Sequence, residues 1–238
     1  MKWEDWRPVY LEIVDMLDLD SSKDRAATEL LTRILRDTAP FPLLEDLQHR
    51  ISGRDIVVCG AGPSLETHLE SLSKRKEQKN LVYAAADGAV SALLNQGLEC
   101  SIITTDLDGN LDDINEAKDR GATVIVHAHG DNMTKVKHAI SVLGDVLGST
   151  QVEPTDRAFL WGGFTDGDRA CHLVADYSPQ HIILAGMDFG SLVGKWSKPM
   201  HTSHFQASER KRIKLRIAKR LISSLMERSE IPFTILGN

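Results

Sequence analysis

Two aspartates flank a leucine in Asp106-Leu107-Asp108, just past the apolar run Ile102-Ile103-Thr104 and Thr105. A short acidic pair just past a strand can hold a hard divalent cation, with water and phosphate oxygens completing the shell; Mg²⁺ is the natural candidate. Asp87, Asp131, Asp166, Asp168 and Asp188 also fall at the ends of apolar runs or the starts of helix-like segments. Gathered on one edge, such carboxylates would repel one another without a cation, so their joint placement points to a metal-phosphate site. Taken singly, Asp131 and Asp166 also read as helix caps, and Asp112 and Asp113 are expected to serve the first turn of the helix that follows them. In Gly60-Ala61-Gly62-Pro63-Ser64-Leu65, Gly60 and Gly62 permit positive φ and bring backbone N–H groups near an anion. Pro63 is preset for a first helical turn and Ser64 adds a hydroxyl. The stretch matches neither GxGxxG nor GxxxxGK[ST], so an ordinary tight strand-to-helix turn is the alternative. His127, His129, His201 and His204 form no HExxH or Cys-rich set, and the neighbouring carboxylates prefer harder ions than zinc. His127 and His129 share one side of a strand and could line a pocket.

These residues need elements to hold them. Apolar residues recur at helical intervals up to about residue 50, in two groups: Ile13, Val14 and Leu17, then Ala27, Leu30, Leu31, Ile34 and Leu35. Two amphipathic helices are expected, the second capped by Ser21 or Ser22 and ended by Pro40 and Pro42. An N-terminal helical region, 1–50, is therefore set apart from an α/β domain, 51–238. Their apolar stripes need cover, which the same chain or a second copy in a homodimer could supply. Beyond the boundary, strand-sized apolar runs alternate with helix-like segments: Ile56 to Cys59, Leu81 to Ala86, Ile102 to Thr104, Thr123 to Val126, Ile182 to Ala185 and Phe233 to Leu236, with Val146 to Thr150 a weaker candidate. The expected architecture is a three-layer, Rossmann-like, mostly parallel sheet with helices on both faces. Ligands in such sheets bind where the strands end at their carboxyl edge, which is where the aspartates and glycines fall.

The segment from Ser191 to Gln206 carries Gly194, Lys195, Trp196, Lys198, His201 and His204 without apolar periodicity. It is expected to be a long loop that either closes over the site, with Lys195 or Lys198 neutralising phosphate, or is simply solvated. The basic residues from Arg210 to Arg220 lie against an apolar stripe of Ile213, Ile217, Leu221 and Leu225, the pattern of a solvated helix face. The 238 residues carry 28 Lys plus Arg against 34 Asp plus Glu, a net charge of -6 that gives no overall field for nucleic acid. Three widely spaced cysteines without a CxxC pair suit a reducing, cytoplasmic setting, and neither a signal peptide nor a membrane span is expected.

The combination of Gly60-Ala61-Gly62-Pro63-Ser64-Leu65, Asp87-Gly88-Ala89 and Asp106-Leu107-Asp108 resembles the archaeal 6-hydroxymethyl-7,8-dihydropterin pyrophosphokinase family over about residues 50 to 236. More distantly, Ala86-Asp87-Gly88-Ala89, Thr105-Asp106-Leu107-Asp108-Gly109 and Thr165-Asp166-Gly167-Asp168-Arg169-Ala170 are similar to the ADGG, GDxDS and TDxxKA patterns of thiamine pyrophosphokinases. Ala89, Gly109 and Arg169 depart from that second pattern. The resemblance implies Mg²⁺-dependent transfer of the β,γ-pyrophosphoryl unit of ATP to a reduced pterin, with release of AMP. On that reading Asp106 and Asp108 hold the metal, assisted by Asp87 and by Asp166 or Asp168. Gly60, Gly62, Ser64, Asp87, Gly88, Asp166 and Lys195 meet the nucleotide, and Arg169 grips the transferred phosphate. Trp161, Phe164, Phe189 and Trp196 are candidate walls for the flat acceptor. Two other readings compete. A DxD also holds the metal of a sugar nucleotide in glycosyltransferases, and a doubly wound sheet can serve as a nucleotide-binding module without catalysis.

Overall fold

The computed structural model describes residues 1–74 and 80–237. Three helices precede the first strand: α1 (Trp3–Leu17), α2 (Ser21–Ile34) and α3 (Pro40–Ile51). The third helix occupies the stretch that reads as a boundary. Pro40 is its first residue, where the missing N–H costs nothing, so this proline starts a helix instead of ending one. Asp20, not Ser21 or Ser22, caps α2, accepting from the N–H groups of Ser22 and Lys23.

The βα alternation follows with β1 (Asp55–Cys59), α4 (Leu65–Ser73), β2 (Leu81–Ala86), α5 (Ala89–Asn95), β3 (Ile102–Thr105), α6 (Leu111–Asp119), β4 (Thr123–His127), α7 (Met133–Leu143), β5 (Leu147–Ser149) and β6 (Ala158–Phe159). The chain then runs through α8 (Asp166–Asp176), β7 (His181–Ala185), the short pair β8 (Leu192–Val193) and β9 (Phe205–Gln206), α9 (Glu209–Arg228) and β10 (Phe233–Ile235). The main sheet has the order β10-β7-β1-β2-β3-β4-β5-β6, parallel at every pairing. Strand order reverses at β1, where β2 continues on one side and β7 lies on the other. A reversal of this kind opens a crevice at the carboxyl ends of the strands.

Successive strand residues point to opposite faces, and the core divides accordingly. Val57, Cys59, Ala85, Ile103 and Val124 meet α2 and α4 to α7 on one face, with Leu31, Leu65, Leu93 and Val136 among the buried partners. Ile56, Val58, Ala84, Ile102 and Leu184 meet α3, α8 and α9 on the other, through Leu47, Ile51, Leu173 and Leu225. A smaller cluster seats α1 on α9: Trp6, Tyr10, Ile13 and Leu17 are buried with Ile217 and Leu221. The same chain thus covers the apolar stripes of the N-terminal helices. Among the described residues, no helix is long and apolar enough to cross a membrane.

The segment after β7 is not an irregular loop throughout. β8 and β9 pair antiparallel, joined through a 3-10 turn at Lys195–Ser197. The segment docks closely on the turn after β1, since a side chain at Gly194 would overlap the carbonyl of Ala61.

Candidate active site

Asp87, Asp106 and Asp166 stand at the ends of β2 and β3 and at the first residue of α8, and each offers a carboxylate oxygen within 4.8 Å of the other two. Backbone geometry brings them there. Asp87 leaves β2 at φ 48°, and its Oδ1 accepts from the Thr105 hydroxyl at 2.5 Å. Asp166 is tied to the end of β3 twice: its carbonyl accepts from Thr104 Oγ1 at 2.9 Å, and its Oδ2 accepts from the Asp106 N–H at 3.3 Å. Asn132 holds the Asp106 carbonyl from below at 2.9 Å.

Charge crowding sorts the protons on the three acids. Burial, reinforced by the Asp106 charge, pushes Asp87 up to about 7. The same two causes, with Asp87 added, raise Asp166 well above the usual carboxylate range. Burial would also raise Asp106, but the hydrogen bond and charge of His129 and the charge of Arg169 hold it far below that range. Asp106 Oδ1 is buried without a hydrogen-bond partner. Oxygen-only donors, among them an ionised Asp106 whose Oδ1 has no partner, fit a hard divalent cation.

The triad opens onto a cleft of about 430 Å³ at the carboxyl edge of the sheet. Gly60 and Gly62 form one wall, Asp188, Phe189 and the β8–β9 pair another, and Lys198, Arg210, Lys211 and Lys214 bring cations to it.

A family model described as 6-hydroxymethylpterin diphosphokinase MptE-like matches residues 30–194. The chain is 43% identical over 225 residues to a 6-hydroxymethyl-7,8-dihydropterin pyrophosphokinase of Pyrococcus furiosus, covering 94% of each chain. The chain belongs to the 6-hydroxymethylpterin diphosphokinase MptE-like family. Members of Methanothermobacter thermautotrophicus (38% identity, 97% of this chain and 98% of the relative) and Methanocaldococcus jannaschii (36%, 98% and 99%) carry the same pyrophosphokinase name.

In this family member the residues singled out in the sequence separate into several groups. Asp87, Asp106, Asp166 and Gly88 meet at the cleft. Asp108 lines it too but stands outside the close triad, because Leu107 between the two acids turns at φ 69°. Its carboxylate lies 2.5 Å from Lys135 Nζ and 2.7 Å from Lys198 Nζ. Asp168, expected as a metal ligand, is fully buried and caps its own helix. Its two oxygens accept from the N–H groups of Phe164 and Thr165 and from the Thr165 hydroxyl. Arg169, expected on phosphate, is 2% exposed and lies behind the triad, donating to Asp166, His127 and the Phe164 carbonyl.

The glycine turn works differently from the expectation. Neither Gly60 nor Gly62 has positive φ. Their N–H groups donate to the carbonyls of Ala185 and Gly186, and that of Ser64 donates to Asp188, so these donors are engaged within the protein. Glycine is required because a side chain at Gly62 would overlap Asp188 and the Gly186 carbonyl. Ser64 is absent from the cleft lining, and its hydroxyl faces His68 at 3.3 Å. Lys195 is also absent from the lining and pairs with Glu66 at 3.0 Å. Phe164 and Phe189 line the cleft, while Trp161 is buried in the core and Trp196 packs against it.

The residues the sequence reading missed are those at the basic start of α9. Arg210, Lys211 and Lys214 look like a solvated face, yet they occupy the helix turn that meets the cleft. Their spacing, one turn ahead of the buried stripe from Ile217, is the signal available in the sequence. Burial holds Lys214 below the ordinary lysine range.

The crowded acids make stability depend on pH. A folded-state value of about 7 for Asp87, against an ordinary value of 3.8, means the native protein keeps a proton that the unfolded chain has lost. That contribution is present at low pH and disappears as pH rises through about 7. Buried neutral His127 and His172 act in the opposite sense below 6.5, so the informative window lies above it. The metal-free protein is expected to melt at lower temperature at pH 8 than at pH 6.5, and Mg²⁺ to raise the melting temperature more at pH 8. An Asp87→Asn variant that reproduces the wild-type slope would refute the assignment.

Proposed function

We propose that this chain transfers the β,γ-pyrophosphoryl unit of ATP to the hydroxymethyl group of 6-hydroxymethyl-7,8-dihydropterin, releasing AMP, with Mg²⁺ held by Asp87, Asp106 and Asp166. The observation that carries this reading is the meeting, in one cleft, of three close carboxylates with the cations of Lys198, Arg210, Lys211 and Lys214. A site for an anionic polyphosphate alone would not gather acids, and a bare cation site would not gather lysines. The near full-length relatives that carry the pterin pyrophosphokinase name supply the acceptor.

When bound, Mg²⁺ would supply neutralisation of phosphate charge at the reacting centre. The remaining contributions come from the protein. Lys198, Arg210, Lys211 and Lys214 meet phosphate oxygens within the same cleft, so that charge developing on the bridging oxygen of AMP is stabilised by protein donors. Arg169 fixes Asp166 from behind, and His129 favours the ionised form of Asp106. The β8–β9 segment covers the cleft, pinned by Lys198 on Asp108. Arriving phosphate competes with Asp108 for Lys198, which provides a route for the segment to adjust around the nucleotide. Catalysis of this type is positioning and electrostatics throughout.

The test is a product assay with purified protein, ATP, Mg²⁺ and the pterin, with thiamine as parallel acceptor and EDTA as control. AMP formed in step with pterin diphosphate, abolished by EDTA and absent with thiamine, is the expected result. Release of a nucleoside diphosphate from a sugar nucleotide, with no AMP from ATP, would replace the reading by glycosyl transfer.

A further inference from the structure

A second cavity, of about 160 Å³, adjoins the main cleft and shares Asp106, Phe164, Arg210 and Lys214 with it. Its far wall is the turn between α1 and α2, at Asp18, Leu19 and Asp20, and its floor is Gln151, His127 and Arg169. Resting on the pyrophosphokinase reading above, the geometry points to this side cavity as the acceptor subsite, in which the N-terminal helices help to select the flat pterin ring.

Three observations lead there. Transfer in line needs the two substrates on opposite sides of the reacting phosphorus, and the two cavities meet at Asp106 of the carboxylate triad. Their sizes differ in the right sense, because the nucleotide is the larger ligand and the main cleft is the larger space. The chemistry of the walls also suits a bicyclic aminopyrimidinone. Phe164 and the stacked imidazoles of His127 and His129, with centroids 6.0 Å apart, offer flat faces, and the acids at the mouth can accept the paired N–H donors of the amino edge. Buried polarity is left over as well, since Arg169 Nε has no hydrogen-bond partner.

The cavity is held in shape from the N-terminal side. Asp24 is buried and accepts from the Tyr10 hydroxyl at 2.7 Å, Gln151 Nε2 at 2.7 Å and the Gly130 N–H at 2.8 Å. These bonds join α1, α2 and the loops after β4 and β5. Arg210 donates to the last carbonyl of α1, that of Leu17, at 2.8 Å, so one cation of the main cleft is placed by the same helix. Asp18 follows at φ 49°, a left-handed conformation that Asp and Asn tolerate.

The experiment is steady-state AMP release by the full chain, varying pterin and ATP in turn, for wild type, Leu19→Trp and Asp18→Asn. Leu19→Trp fills the cavity and Asp18→Asn removes a charge at its mouth while keeping the turn. The pterin KM is expected to rise about tenfold in the first and about threefold in the second, with ATP KM within about twofold of wild type. Should Leu19→Trp fail to fold, Asp18→Asn decides by itself. A rise in ATP KM in place of pterin KM, or an unmoved pterin KM in the folded variants, overturns the subsite while wild-type turnover keeps the pyrophosphokinase reading intact. Wild-type protein that makes no AMP with the pterin overturns that reading, and the subsite with it.

Discussion

Asp106→Asn is expected to lower kcat/KM by about 10³-fold, equivalent to about 4 kcal/mol of lost transition-state stabilisation, and to raise the Mg²⁺ concentration needed for half-maximal rate. Asp106 is the one acid of the triad held ionised, and its Oδ1 is the buried oxygen with no partner of its own. The isosteric amide keeps the backbone N–H to Asp166 and the carbonyl contact from Asn132, so the fold is retained. Asp168→Asn is the contrast. Its carboxylate serves the start of α8, so that variant is expected to lose melting temperature while its Mg²⁺ requirement stays at the wild-type value. Equal loss of activity in both variants with equal Mg²⁺ dependence would show that the metal had been assigned to the wrong acids.

Arg169→Met is expected to destabilise the protein by about 3–5 kcal/mol, because three buried acceptors lose their donor at once. The guanidinium sits 3.3 Å from Asp166 Oδ1 and also donates to His127 Nε2 at 3.0 Å and to the Phe164 carbonyl at 3.1 Å. Methionine fills similar space, so the loss reports the unpaired polar groups and not a cavity. For a chain of this length the melting temperature should fall by about 10 °C. Arg169→Lys keeps the charge but not the planar fork, and is expected to recover only part of the loss. A variant that melts within about 2 °C of wild type and shows a raised ATP KM would instead place Arg169 on the substrate phosphate.

The alternation of apolar runs with amphipathic segments made the parallel sheet and its two helical layers legible, and with them the edge at which Asp87, Asp106 and Asp166 appear. Strands β6, β8 and β9 were hidden because two-residue pairings have no periodicity to display. Helix α3 was hidden because Pro40 and Pro42 read as terminators, whereas a proline in the first turn of a helix is an initiator. The acids themselves were visible, but their division of labour was not. In Asp166-Gly167-Asp168 the two carboxylates differ by two positions on a helix, which sends one to the cleft and the other back to cap the chain.

What the sequence determined by itself was the family, the layered α/β architecture and the gathering of acids and glycines at strand ends. These follow from residue type and local spacing. Only the tertiary structure decided which acids converge, that Arg169 lies behind them, that the N–H groups of Gly60 and Gly62 are engaged by the β7 turn, and that the first turn of α9 walls the cleft. Convergence depends on the direction each side chain takes after its strand ends, and on which distant element packs against it. A one-residue change in phase redirects a carboxylate from the cleft to the core, while composition and spacing remain the same.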